Sequence, residues 1–138
     1  MNKLSHYYYL LFRFYQFYLV HHSDSYRETL VPEMIEMGID IWQGALSTNN
    51  LPKIINEYGE KITIMGGIDN GKIDRVDWTK EKILEETERV CKLCGTKFFI
   101  PCATMGGAGS SYEGVYEAVS ESIDILSDRM FNKTSFND

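Results

Sequence analysis

Three absences narrow this 138-residue chain before any motif is read. Clustered positive charge is missing: 14 Lys and Arg, dispersed along the chain, stand against 20 Asp and Glu, for a net charge of −6. Nucleic-acid binding draws on a concentrated basic surface, so nucleic acid is excluded as an expected partner. Long apolar runs are missing as well. A membrane-spanning helix needs about 20 apolar residues, and the aromatic-rich candidate at residues 1–16 is interrupted by Arg13 and Gln16. No small-residue cleavage site follows that stretch, and it runs directly into a strand pattern, which argues against a secretory signal. Cysteine is scarce: three residues in a chain without a signal imply free thiols, a reducing compartment and a cytoplasmic location.

The composition that remains, 43% apolar and 25% charged, is that of a soluble globular domain. Residues 1–16 read as a poorly specified start to a truncated chain, and residues 17–138 as one domain. Four apolar runs each end in reactive or glycine residues. Phe17 to Val20 leads into His21-His22-Ser23-Asp24, Ile39 to Trp42 into Gln43-Gly44, Ile62 to Met65 into Gly66-Gly67-Ile68-Asp69, and Phe98 to Ile100 into Pro101-Cys102. Amphipathic segments separate them. Thr29 to Met37 is expected as a short helix ended by Gly38, Asn50-Leu51-Pro52 opens a second, and Thr79 caps the longest, which Gly95 closes. A last helix carries Val115, Val119, Ile123 and Leu126. The pattern is β-α repeated four times, an α/β fold of parallel strands whose carboxyl ends share one rim. Such rims hold the active sites of α/β barrels and open sheets. The chain is too short for a closed (β/α)8 barrel, which needs about 250 residues, and corresponds to half of one.

The rim gathers His22, Asp24, Gln43, Asp69 and Cys102. His22 and Asp24, leaving one strand at i and i+2, can supply two metal ligands, and Cys102 a third; N, O and S donors around an open position describe a catalytic zinc. The competing reading makes Asp24 a turn cap, His22 a hydrogen-bonded rim residue and Cys102 a small core side chain. Cys91-Lys92-Leu93-Cys94 lies on the apolar stripe of its helix and lacks the second pair of a zinc knuckle, so it reads as core. Gly106-Gly107-Ala108-Gly109 is either a backbone cradle for an anion or a rim loop.

His22-x-Asp24, Met34 to Gly44 (MIEMGIDIWQG), Ile62 to Asp69 (ITIMGGID) and Phe99 to Cys102 together resemble the carboxyl half of the uroporphyrinogen decarboxylase superfamily. The resemblance spans roughly Phe17 to Met130. It implies the last four units of a (β/α)8 TIM barrel. It also implies one of two activities: zinc-dependent methyl transfer from a corrinoid, supplied by a partner protein, to a thiol or similar small-molecule acceptor, or the uroporphyrinogen decarboxylation of porphyrin biosynthesis. His22 and Cys102 match the methyltransferase branch's zinc ligands, whereas Asp24 stands where that branch has a cysteine. Gly66, Gly67 and Asp69 correspond to a Gly-Asn-x-Asp-Pro strand end, with Gly66 and Gly67 as cofactor-binding candidates and Asp69 and Gln43 as catalytic ones. A half-barrel has two open edges and an apolar inner face, so self-association is expected, with the aromatic residues Tyr7 to Tyr18 partnering missing strands or covering an edge. An inactive truncated remnant is the third possibility.

Overall fold

Local signals set most element boundaries. The computed structural model describes residues 17–105 and 109–132. Strand β1 (Val20–His22) is followed by a 3-10 turn at Glu28–Leu30 and by helix α1 (Val31–Glu36), with Pro32 in its first turn. Strand β2 (Ile41–Ala45) leads to α2 (Leu51–Tyr58), where the Asn50 side chain accepts from the Lys53 N–H. Strand β3 (Thr63–Ile68) runs into a single helical turn, α3 (Asn70–Ile73), and then α4 (Lys80–Cys94), whose cap Thr79 accepts from the Lys82 N–H. Strand β4 (Phe99–Ala103) and α5 (Val115–Phe131) complete the order.

The four strands are all parallel and lie in the order β1-β2-β3-β4, so each crossover steps the same way. The helices consequently share one side. Trp42, Ile64 and Phe99 pack with Val31 and Met34 of α1, Leu51 and Ile54 of α2, and Val90 and Cys94 of α4. Ile68 continues that face upward into a second cluster with Ile73, Ile83, Val115 and Val119. Because successive strand residues alternate sides, the opposite face carries Val20, His22, Ile41, Gln43, Thr63, Met65, Ile100 and Cys102. The register places His22 beside Gln43, Gln43 beside Met65 and Met65 beside Ile100, with Cys102 one step higher opposite Gly67.

All four strands start later than the apolar runs suggest and extend through the residues expected to lie beyond their ends. Ile39 and Ile62 are buried, but their N–H groups bond back to Met34 and Tyr58, so they finish the preceding helices rather than open strands. His21, His22, Gln43, Gly66, Gly67, Pro101 and Cys102 are strand residues. Pro101 is tolerated because Ile64 N–H bonds to Phe98 O, a phase in which the N–H groups of Phe99, Pro101 and Ala103 would point away from β3 to the free edge. Among the described residues no helix is long and apolar enough to cross a membrane.

Candidate functional site

The turn after β1 is pinned before its side chains are considered. Ser23 N–H bonds to Gln43 O at 3.0 Å, and the Trp42 indole N–H donates to Ser23 O at 2.8 Å. Asn49, 5% exposed, ties this turn to the loop after β2: its Oδ1 accepts from the Arg27 and Glu28 N–H groups, and its Nδ2 donates to Ser25 O and Leu46 O. Asn49 was not among the candidates, since nothing in its local sequence marks a residue that bonds 21 to 24 positions back.

On this frame the imidazole of His22 stands between two oxygens. Nδ1 hydrogen-bonds the Gln43 side-chain oxygen, and Nε2 lies 3.3 Å from Asp24 Oδ2. An amide oxygen can only accept, so Nδ1 carries the proton in that bond. The lone pair of a neutral ring would then face a carboxylate. A cation between Nε2 and Oδ2 resolves the conflict. When that cation is a proton, the bond to Gln43 and then the charge of Asp24 hold the His22 pKa above 6.5, against the pull of desolvation. Gly44 makes room for the pair: a Cβ there would meet Asp24 Oδ1 at 2.7 Å and His22 Cε1 at 3.2 Å, and its φ of +93° is strained for any other residue.

Cys102 shares the open face but not the pair. Its Sγ donates to Ala103 O at 3.2 Å, burial pushes its thiol above the ordinary value, and a hydrogen bond from the Gln43 side chain works in the opposite direction. Gln43, on β2, thus hydrogen-bonds His22 and also acts on the Cys102 thiol two strands away. Among the described residues no three of His, Cys, Asp and Glu stand close enough to hold one ion. His22 and Asp24 meet; Cys102 remains one strand contact away.

Asp69 sits at the end of β3, where its carboxylate accepts from the Gly71 N–H at 2.9 Å and caps α3. It also lines, with Asp24, Ser47, Thr48, Asn70 and Thr104, a rim cavity of about 420 Å³ that no Lys or Arg among the described residues borders. Gly66 and Gly67 owe their small size to packing. A Cβ on Gly66 would strike the Ala45 backbone, and one on Gly67 would come within 2.8 Å of Val90 Cγ1. Gly67 borders a separate 220 Å³ cavity on the helix side. Cys91 and Cys94 are buried in the core, and burial, with Cys91 adding, pushes the Cys94 thiol up to about 11. The loop candidate Gly106-Gly107-Ala108 falls outside the described residues, with Gly109 at its end.

A second charged cluster underlies the rim and was missed. Glu86, 5% exposed on α4, accepts from Arg89 at 2.8 and 2.7 Å and from the Asp69 N–H at 3.2 Å, with Lys72 at 3.4 Å. Burial pushes its carboxyl up, but Arg89, the Asp69 N–H and the charge of Lys72 together hold it below the usual value. The signal was available: Glu86 falls on the same helical stripe as Ile83 and Val90.

No protein-family model matches the chain, and no curated protein matches it as a relative.

Proposed function

We propose that the chain is the carboxyl half of a (β/α)8 barrel of the uroporphyrinogen decarboxylase superfamily, and that its parent performs zinc-assisted methyl transfer. The observation that carries the reading is the His22 ring, oriented by Gln43 through Nδ1 and presenting Nε2 3.3 Å from Asp24 Oδ2. Two ligands about 2.0 to 2.2 Å from a tetrahedral zinc stand about 3.4 Å apart, so the pair fits adjacent coordination positions. Gln43 fits the outer role of a group that accepts a ligand histidine's other N–H and fixes its tautomer. Cys102 is the third ligand, reached when the Gln43 amide gives up its contact with the sulfur.

Held there by His22, Asp24 and Cys102, Zn²⁺ would supply a Lewis acid that lowers the pKa of an incoming thiol, the acceptor for a methyl group from a corrinoid on a partner protein. The residues' own work is to place and to exclude. Gln43 holds His22, Gly44 leaves space for Asp24, and Asp69 lines the acceptor cavity with Asp24 at the rim. That cavity offers carboxylates and hydroxyls, with no Lys or Arg among its described lining, so a porphyrinogen's acid groups find no cationic partner in it. The single-sided sheet with unreversed strand order supports the barrel reading, since doubly wound sheets reverse order to cover both faces.

Zinc titration of the full chain tests the proposal. One equivalent is expected to bind, with proton release, and His22→Ala is expected to abolish it while Cys91→Ser leaves it intact. Binding indifferent to His22, or no binding, would overturn the reading.

A further inference from the structure

The rim cavity beside the His22–Asp24 pair is walled by oxygen. Asp24 and Asp69 border it with the hydroxyl residues Ser47, Thr48 and Thr104 and with Asn70, around a volume of about 420 Å³. That size lies within the range of small-molecule sites, about 300 to 1,000 Å³. We propose that the cavity binds the ammonium group of a small amine, and that the thiol brought to the metal pair is an aminothiol, with its ammonium at Asp69 and Asn70. The sulfur end of this inference rests on the zinc reading. The ammonium end rests on the cavity alone.

Asn70 makes the case for a ligand that donates hydrogen bonds. Its Nδ2 donates to Thr104 O, which fixes the amide, because turning it over would set two oxygens against each other. Oδ1 is thereby committed to the other side, where it is shielded from solvent and has no hydrogen-bond partner among the described residues. A buried acceptor left in that state calls for a donor.

Asp69 supplies the charge. Its Oδ1 accepts from the Gly71 N–H at 2.9 Å, while its Oδ2 takes no donor among the described residues. Lys72 and Arg89 do not border this cavity: they line the separate cavity on the helix side of Asp69, and Glu86 engages both. Asp69 caps α3 and Asn70 begins it, so one turn of backbone holds the carboxylate and the amide together. An alkylammonium brings three N–H donors and a positive charge to such a wall. A hydroxyl brings one donor and no charge, and a carboxylate brings repulsion. Asp24, shared by the cavity and the His22 pair, puts the two ends of one ligand side by side.

Two measurements on the full chain test the two ends separately. In the metal-free chain, ethylammonium chloride is expected to shift the NMR amide signals of Thr48, Asn70 and Gly71 saturably, whereas ethanol and sodium chloride at the same concentrations are not. Asp69→Asn, which keeps a side-chain oxygen for the α3 cap, is expected to weaken that binding about tenfold. No saturable shift, or an unchanged affinity in Asp69→Asn, would overturn the proposal. Should the variant unfold, the comparison of ethylammonium with ethanol decides alone. In the zinc-loaded chain, cysteamine is expected to bind about tenfold more tightly than 2-mercaptoethanol, with mercaptoacetate the weakest of the three. The lower thiol pKa of cysteamine favours it at any zinc ion, so the decisive quantity is the part of its preference that Asp69→Asn removes. A preference that survives Asp69→Asn, or none at all with zinc bound, would overturn the aminothiol and leave the metal reading standing. Failure to bind zinc would overturn the aminothiol together with the metal reading, and the ethylammonium titration would still uphold or overturn the ammonium site.

Discussion

Glu86 and Asp24 are carboxylates beside cationic partners, and the fold handles them in opposite ways. Glu86 is 5% exposed and its oxygens are taken up by Arg89, Lys72 and a backbone N–H. Asp24 is 46% exposed, meets a histidine nitrogen at 3.3 Å, and borders a cavity. A buried charge must be fully paired to be tolerated, and once paired it has little capacity left for a ligand. An exposed, half-satisfied pair costs little to hold and keeps its lone pairs available. The Glu86 cluster is therefore scaffold, fixing the end of β3, while the Asp24 cluster keeps the capacity to take a ligand.

The largest expected effect sharpens this contrast. Glu86→Ala leaves the Asp69 N–H without its acceptor and the half-exposed Arg89 without its carboxylate, and is expected to cost about 2 to 3 kcal/mol in urea unfolding. Glu86→Gln, which keeps the shape and one acceptor, should cost about 2 kcal/mol. A cost for Glu86→Ala below 1 kcal/mol would remove the distinction between the clusters.

Gly44→Ala comes next. Its added Cβ meets Asp24 Oδ1 at 2.7 Å on a backbone with φ of +93°, and the strain is expected to cost about 1 to 3 kcal/mol. Zinc affinity should fall with it, because the carboxylate is pushed from the His22 ring. Unchanged affinity would mean that Asp24 is not a ligand.

The smallest effect on stability belongs to the pair itself. Asp24→Ala is expected to change unfolding free energy by no more than about 0.5 kcal/mol, as for other exposed pairs. The pH dependences should separate in the same way. Glu86 has a lowered pKa, so its contribution is full above the ordinary carboxylate value of 4.5 and is lost as pH falls through the folded value. His22 has a raised pKa, so its contribution is full below 6.5 and disappears as pH rises through the folded value. NMR titration should show His22 with a midpoint above 6.5 that drops when Asp24 is replaced by Ala. A midpoint insensitive to Asp24 would detach the two residues.

The sequence made the four β-α units legible because helix caps are local. Asn50, Thr79 and Gly95 act on N–H and C=O groups within a few residues, and the structure uses each as expected. Strand limits were misjudged by one to three residues because they depend on where a neighbour's ladder begins. Ile39 looks like a strand residue but bonds to Met34, while Gly66, Gly67 and Pro101 look like breakers yet sit inside strands. At the site, the proximity of His22 and Asp24 was legible, since i and i+2 leave a strand on one side. The placing of Gln43 between His22 and Cys102 was not, because it depends on register across four strands. Glu86 was overlooked for a different reason: a carboxylate on an apolar stripe reads as an interruption until its partners, 3 and 14 residues away, are seen to converge.

The claim that the His22–Asp24 pair holds zinc with Cys102 is tested most directly by X-ray absorption at the zinc edge of the zinc-loaded full chain. The account predicts one sulfur at about 2.3 Å with nitrogen and oxygen ligands at about 2.0 to 2.2 Å, and loss of the sulfur shell in Cys102→Ser but not in Cys91→Ser. A spectrum without sulfur, or with a sulfur that disappears in Cys91→Ser instead, would contradict it.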